Sequence, residues 1–158
     1  MGNNVCCFIG HRKINETKEV RNQLLEIIEN LITDEKIDTF LFGSKSRFNE
    51  LCYETVTRLK EKYPYIKRIF VRAEYPYIGD DYKEYILESY EDTYFPKNII
   101  GTGRLSYVKR NIEMINKSGF CVFYFDKGML PTNRRSGTEV AFNYAVRQAI
   151  VEPVTPDI

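Results

Sequence analysis

The sequence has no tryptophan, one histidine and four cysteines, none of them in a C-x-x-C pair. A single histidine, His11, is too few for a His-rich metal site, so no metal ligand set and no cofactor are expected. Three of the cysteines lie inside apolar runs, so Cys6, Cys7, Cys52 and Cys121 read as small buried hydrophobes in a reducing compartment. An excess of one charge is missing too: Lys+Arg 23 against Asp+Glu 22 gives a net charge of +1. Proteins that coat nucleic acid or anionic membranes carry a large basic excess, so neither is an expected partner, although a local basic patch stays open. Long hydrophobic runs are lacking. The apolar stretch Val5-Cys6-Cys7-Phe8-Ile9 is far too short for a signal segment or a membrane span. Met1-Gly2 opens like a myristoylation site, but Cys6 stands where Ser or Thr is wanted. A soluble cytoplasmic protein is expected. With 158 residues, 43% hydrophobic and 28% charged, the chain reads as one globular domain rather than a disordered or collagen-like one.

Strand and helix patterns alternate along it. Val5 to Ile9 is a continuous apolar run closed by Gly10, as expected of a strand buried on both faces. Val20, Leu24, Ile27, Ile28 and Leu31 recur at helical spacing and predict a helix from about Thr17 to Ile32. Thr39 to Phe42 is a second strand, closed by Gly43. A helix beginning near Ser46 carries Phe48, Leu51, Cys52, Val56 and Leu59 on one face, and Arg68 to Arg72 is a third strand. From Glu74 to Gly103 the rhythm breaks into a Tyr-rich lid or insertion, expected as loops around a short helix near Asp81 to Tyr90. Ser106 is expected to cap a helix carrying Val108, Ile112 and Ile115 that ends at Gly119. Phe120 to Phe125 is the clearest strand, followed by a polar loop from Asp126 to Arg135 and a helix from Ser136 to Gln148. The tail, with Pro153 and Pro156, reads as an edge strand or an arm. Such repeated units predict an α/β fold: a mainly parallel sheet flanked by helices. Right-handed crossovers then bring every strand-to-helix loop to one sheet edge, where ligands bind in open α/β folds.

Four loops share one recipe. The first is Gly10-His11-Arg12-Lys13, where Arg12 offers a fork for phosphate or carboxylate. The second is Gly43-Ser44-Lys45-Ser46-Arg47, running into Phe48 and Asn49; its small residues at a helix N-terminus suit an anion, though no Walker or G-x-G-x-x-G pattern is present. In the third, Gly101 to Asn111, Arg104 and Arg110 flank a helix start and Tyr107 joins the candidate set. The fourth is Asn133-Arg134-Arg135-Ser136-Gly137-Thr138-Glu139. Each loop alone is equally an ordinary capped turn with solvated cations. Tyr82, Tyr85 and Tyr90 read more readily as packing residues, whereas Tyr75 or Tyr77 can stack a base. Glu54 and Glu139 are the acidic residues nearest the expected cleft.

Gly10-His11-Arg12, the Phe42 to Asn49 loop, the stretch from Tyr107 to Asp126, and Ser136-Gly137-Thr138 before Asn143-Tyr144-Ala145 resemble the SLOG superfamily. The match is to its small stand-alone bacterial and phage members of the domain-of-unknown-function type. The resemblance implies a Rossmann-like domain that binds nucleotides or nucleotide-derived ligands, for example ADP-ribose-like or cyclic ones, at the loop edge. It also implies a homodimer or larger homo-oligomer. The superfamily includes the DNA-processing protein DprA, the Lonely Guy phosphoribohydrolases, and sensor domains of bacterial conflict systems. The hydrolase branch carries P-G-G-x-G-T-x-x-E. Here Ala141 stands in place of that glutamate and Arg134-Arg135 replace the leading glycines. A sensor or sequestering module in signalling or anti-defence is therefore expected before an enzyme. The alternatives are N-glycosidic hydrolysis, with Glu54 or Glu139 as the carboxylate, and a DprA-like association with DNA.

Overall fold

The computed structural model describes residues 4–11, 13–43, 45–124 and 150–154. Six strands form one sheet: β1 (Val5–Gly10), β2 (Thr39–Phe42), β3 (Lys67–Val71), β4 (Asp92–Tyr94), β5 (Phe120–Tyr124) and β6 (Ile150–Val154). Their order is β4-β3-β2-β1-β5-β6, and every neighbouring pair is parallel. The chain steps outward from β1 to β4, then crosses back to place β5 on the other side of β1. The strand order thus reverses between β1 and β5, which is the switch point of a Rossmann-like α/β sheet.

The helices follow from this winding. Helix α1 (Lys18–Thr33) is capped by Thr17, whose hydroxyl accepts the Val20 N–H at 3.1 Å, and α2 (Arg47–Lys62) by Ser46, which accepts the Asn49 N–H at 3.1 Å. Both lie on one face, where Leu24, Ile28, Phe48 and Val56 pack with Phe8, Phe40 and Val122 of the sheet. Helix α4 (Ser106–Asn116) covers the other face, setting Met114 and Ile115 against Cys7, Ile9, Leu41 and Phe123. Consecutive strand residues thus alternate between two apolar cores, which is why β1 and β5 are apolar throughout. All four cysteines are buried free thiols, and Cys7 Sγ lies 3.3 Å from Cys121 Sγ across β1 and β5. Among the described residues no helix is long and apolar enough to cross a membrane.

Three features differ from the sequence expectation. The Tyr-rich segment holds a strand, β4, beside its helix α3 (Asp80–Leu87); three residues reading Asp-Thr-Tyr carry no apolar run to announce it. Tyr90 lies beyond α3 and packs among Phe42, Tyr53 and Phe70 at ring distances of 6.0, 5.0 and 5.3 Å. Ser106 is the first residue of α4 rather than its cap. Thr102 and Leu105 already have right-handed helical angles around the 3-10 turn Gly103–Leu105, so no extended residue precedes the helix to hold a capping hydroxyl. The buried stripe of α4 is Arg110, Met114 and Ile115, while Val108 and Ile112 are only half-buried. An arginine occupies a core position there. The tail forms β6, a parallel edge strand whose position suits Pro153, which has no N–H to give a further neighbour. The polar loop from Asp126 to Arg135 and the helix expected over Ser136 to Gln148 lie outside the described residues.

Candidate functional site

The glycines at the ends of β1 and β2 are required by packing. A Cβ on Gly10 would lie 2.3 Å from the Phe48 ring, and one on Gly43 would lie 2.6 Å from Met114 Sδ and 2.8 Å from Arg110 Nε. The groups approaching these backbones are the protein's own side chains. Asn49 ties the two strand ends together: its Nδ2 donates to the Phe8 carbonyl at 3.2 Å, and its Oδ1 accepts from the Gly43 N–H at 3.3 Å. The start of α2 is thereby fixed against the ends of β1 and β2.

Above these strand ends lies a cavity of about 730 Å³. Gly10, Gly43, Lys45, Ser46 and Asn49 line it from the β1–β2–α2 side, and Tyr107, Arg110 and Asn111 from α4. Arg110 is 3% exposed. Its guanidinium donates to the Gly43 carbonyl through Nη1 and to Asn111 Oδ1 through Nε at 3.2 Å, and it sits 5.6 Å from the Tyr107 ring centroid. No carboxylate of the described residues forms an ion pair with it. Burial holds its pKa down to about 10, with Glu74 and Tyr107 pulling the other way, so the group stays cationic at neutral pH. A buried cation outside any ion pair costs several kcal/mol, and among the described residues Glu74 is the carboxylate whose charge reaches it, so an anion in the cavity would add compensation. Lys45, exposed at the rim, adds a second positive charge, and the capped start of α2 adds its partial one.

Other candidates lie elsewhere. Phe48 is fully buried, with its ring against Gly10 and 5.7 Å from Tyr124, so it is a core residue and not a platform for a base. His11 is 8% exposed and meets Tyr124 edge to face at 6.2 Å, outside the cavity lining. Arg104 is exposed on the 3-10 turn before α4 and does not line the cavity. The preceding Gly101 and Gly103 have φ of +76° and +60°, so this Gly-Thr-Gly serves a turn that needs left-handed backbone. Arg47 is already engaged: its Nε and Nη2 reach the Glu16 carboxylate at 2.8 and 2.9 Å, and Nη1 reaches Glu54 at 3.3 Å. Glu54 is consequently an exposed ion-pair partner on α2, away from the Arg110 cavity. Arg12, Ser44, Ser136, Gly137, Thr138 and Glu139 lie outside the described residues. No group of three His, Cys, Asp or Glu among the described residues is placed to hold a metal ion.

Two residues at the sheet edge escaped the sequence reading. Glu74, just beyond β3, lines the cavity and accepts a 3.4 Å hydrogen bond from the Tyr107 hydroxyl. Arg72 is 8% exposed, donates to Thr93 Oγ1 at 3.2 Å and to the Tyr75 carbonyl, and fastens the end of β3 to its neighbours. Their position directly after an apolar strand was the available signal.

A parallel, doubly wound sheet with a cavity over its strand ends defines a Rossmann-like α/β protein. No family model matches the sequence, and no curated protein matches it. Among solved structures, the crystal structure of S. aureus TarJ in complex with NADPH aligns at 13% identity and a TM-score of 0.46, covering 87% of this chain and 43% of that chain. The chain thus spans less than half the length of that protein.

Proposed function

We propose that the protein binds a nucleotide or nucleotide-derived ligand over the C-terminal ends of β1 and β2 and holds it, as a sensor or sequestering module. The observation that carries this reading is Arg110: a buried guanidinium at a cavity wall with no carboxylate partner among the described residues. Arg110 and Lys45 take the phosphates, with Gly10, Gly43, Ser46 and Asn49 shaping the floor and Tyr107 the wall. Glu74 is an acceptor for ribose hydroxyls. The likeness of the Gly10-His11-Arg12 and Phe42 to Asn49 segments to the SLOG superfamily supports the same ligand class, and with it self-association.

Glu74 also favours a second reading, cleavage of an N-glycosidic bond, because it is a carboxylate lining the Arg110 cavity. One experiment separates the two. Freshly purified protein is heat-denatured and the released small molecules are identified by mass spectrometry, alongside melting scans with a nucleotide panel. Intact nucleotide, or a nucleotide that raises Tm without being consumed, is the expected result. A free base with a ribose phosphate would establish turnover. Absence of any released or stabilising nucleotide would contradict both readings.

A further inference from the structure

A second cavity, of about 590 Å³, adjoins the first and shares Lys45, Asn49 and Phe70 with it. It lies between α2 and α3, and its character is different. Phe42, Tyr53, Phe70 and Tyr90 contribute rings to its lining from the sheet side and α2, and Tyr82 and Tyr85 from α3. The inner rings are packed on one another, with Tyr53 and Tyr90 5.0 Å apart. Tyr82 and Tyr85 are instead 38% and 67% exposed, their rings nearly parallel at 14° and 6.4 Å between centroids. Two exposed, mutually aligned tyrosines at the mouth of an aromatic cavity present flat surface of the kind on which a planar ring stacks.

The polar groups of this cavity have a bias. Glu50 lines it from the first turn of α2, and its carboxylate makes no ion pair among the described residues, whereas Glu54 is held by Arg47. Ser89 also lines the cavity, and its carbonyl accepts from the Tyr53 hydroxyl at 2.6 Å. A free carboxylate accepts hydrogen bonds and repels carbonyl oxygens. We infer that the cavity between α2 and α3 seats the aromatic base of a ligand whose phosphates lie at Arg110, and that Glu50 selects a base bearing an exocyclic amine over one bearing a carbonyl at that position. The inference rests on the nucleotide reading above, and the shared wall at Lys45, Asn49 and Phe70 is what lets one ligand span both cavities.

The test uses three probes, titrated calorimetrically into the intact protein: ADP, IDP and inorganic pyrophosphate. Pyrophosphate reports the Arg110 cavity alone. ADP is expected to bind more tightly than IDP, and the Tyr82→Ala/Tyr85→Ala double variant to weaken ADP by roughly 5- to 150-fold, the range for loss of base stacking, while leaving pyrophosphate unchanged. Because both rings are exposed, the fold should survive, which a melting scan confirms. Glu50→Gln is expected to close the gap between ADP and IDP. Unchanged ADP affinity in the double variant, with pyrophosphate still bound, would overturn the base seat and spare the anion site. IDP binding as well as ADP would overturn the role of Glu50. Loss of all binding by the wild-type protein, pyrophosphate included, would overturn the anion site and the inference built on it.

Discussion

Arg47 and Arg110 each stand near the start of a helix at the loop edge of the sheet, and in sequence they are equivalent. In the fold they are opposites. Arg47 is part-exposed and gripped by Glu16 and Glu54, so its charge is spent on fastening the loop after β1 to α2. Arg110 is buried, bonded to a backbone carbonyl and an amide, and faces a cavity with no carboxylate partner among the described residues. Positive charge beside a helix start is thus not by itself an anion site. What sets Arg110 apart is that its charge is desolvated and outside any ion pair among the described residues.

That contrast can be broken from either side. The largest effect is expected for Arg110→Met, which should cost about 2–5 kcal/mol of nucleotide binding, thirtyfold or more, by calorimetry. Its effect on folding should stay within about 2 kcal/mol in either direction, because losing the donor to Gly43 is countered by removing a desolvated charge. Next is Gly43→Ala, whose new Cβ would collide with Met114 and Arg110; about 1–3 kcal/mol of stability should be lost in urea unfolding, with binding weakened as Arg110 is displaced. Asn49→Ala strips partners from the Phe8 carbonyl and the Gly43 N–H, and a loss of about 1–3 kcal/mol is expected by the same measurement.

The smallest effects belong to the other arginine. Arg47→Met should cost at most about 1 kcal/mol of stability and leave nucleotide affinity unchanged, since its ion pairs are partly solvated. Its partner supplies a pH signature. The hydrogen bonds from Arg47, above all other causes, hold the Glu16 carboxyl below its ordinary value. A carboxyl so lowered adds stability that is fully present above the ordinary value and is lost as pH falls through the lowered one. Glu16→Gln should therefore differ from wild type at neutral pH and converge with it in acid, as seen in urea midpoints measured across that range.

The same pair shows how far the sequence could be read. Strands β1, β2 and β5, and the helices beginning near Thr17 and Ser46, were legible because apolar runs and periodicity are local. Strand β4 was not, since Asp92-Thr93-Tyr94 pairs with β3 only at an edge and carries no pattern of its own. Gly10 and Gly43 were legible as the glycines that close β1 and β2, but not what packs against them, which depends on how α2 and α4 lie across the sheet. For that reason Phe48, taken with the candidate loop after β2, is core, and Arg110 looked like one cation among several. Glu74 stands just beyond an apolar strand, but its contact with Tyr107 arises only once the end of β3 is brought beside α4.

The most direct test of the account is ADP titrated calorimetrically into wild-type, Arg110→Met and Arg47→Met proteins at one salt concentration. Binding that survives in Arg47→Met and falls at least thirtyfold in Arg110→Met is the predicted result. Equal affinity in wild type and Arg110→Met, or a loss confined to Arg47→Met, would contradict it.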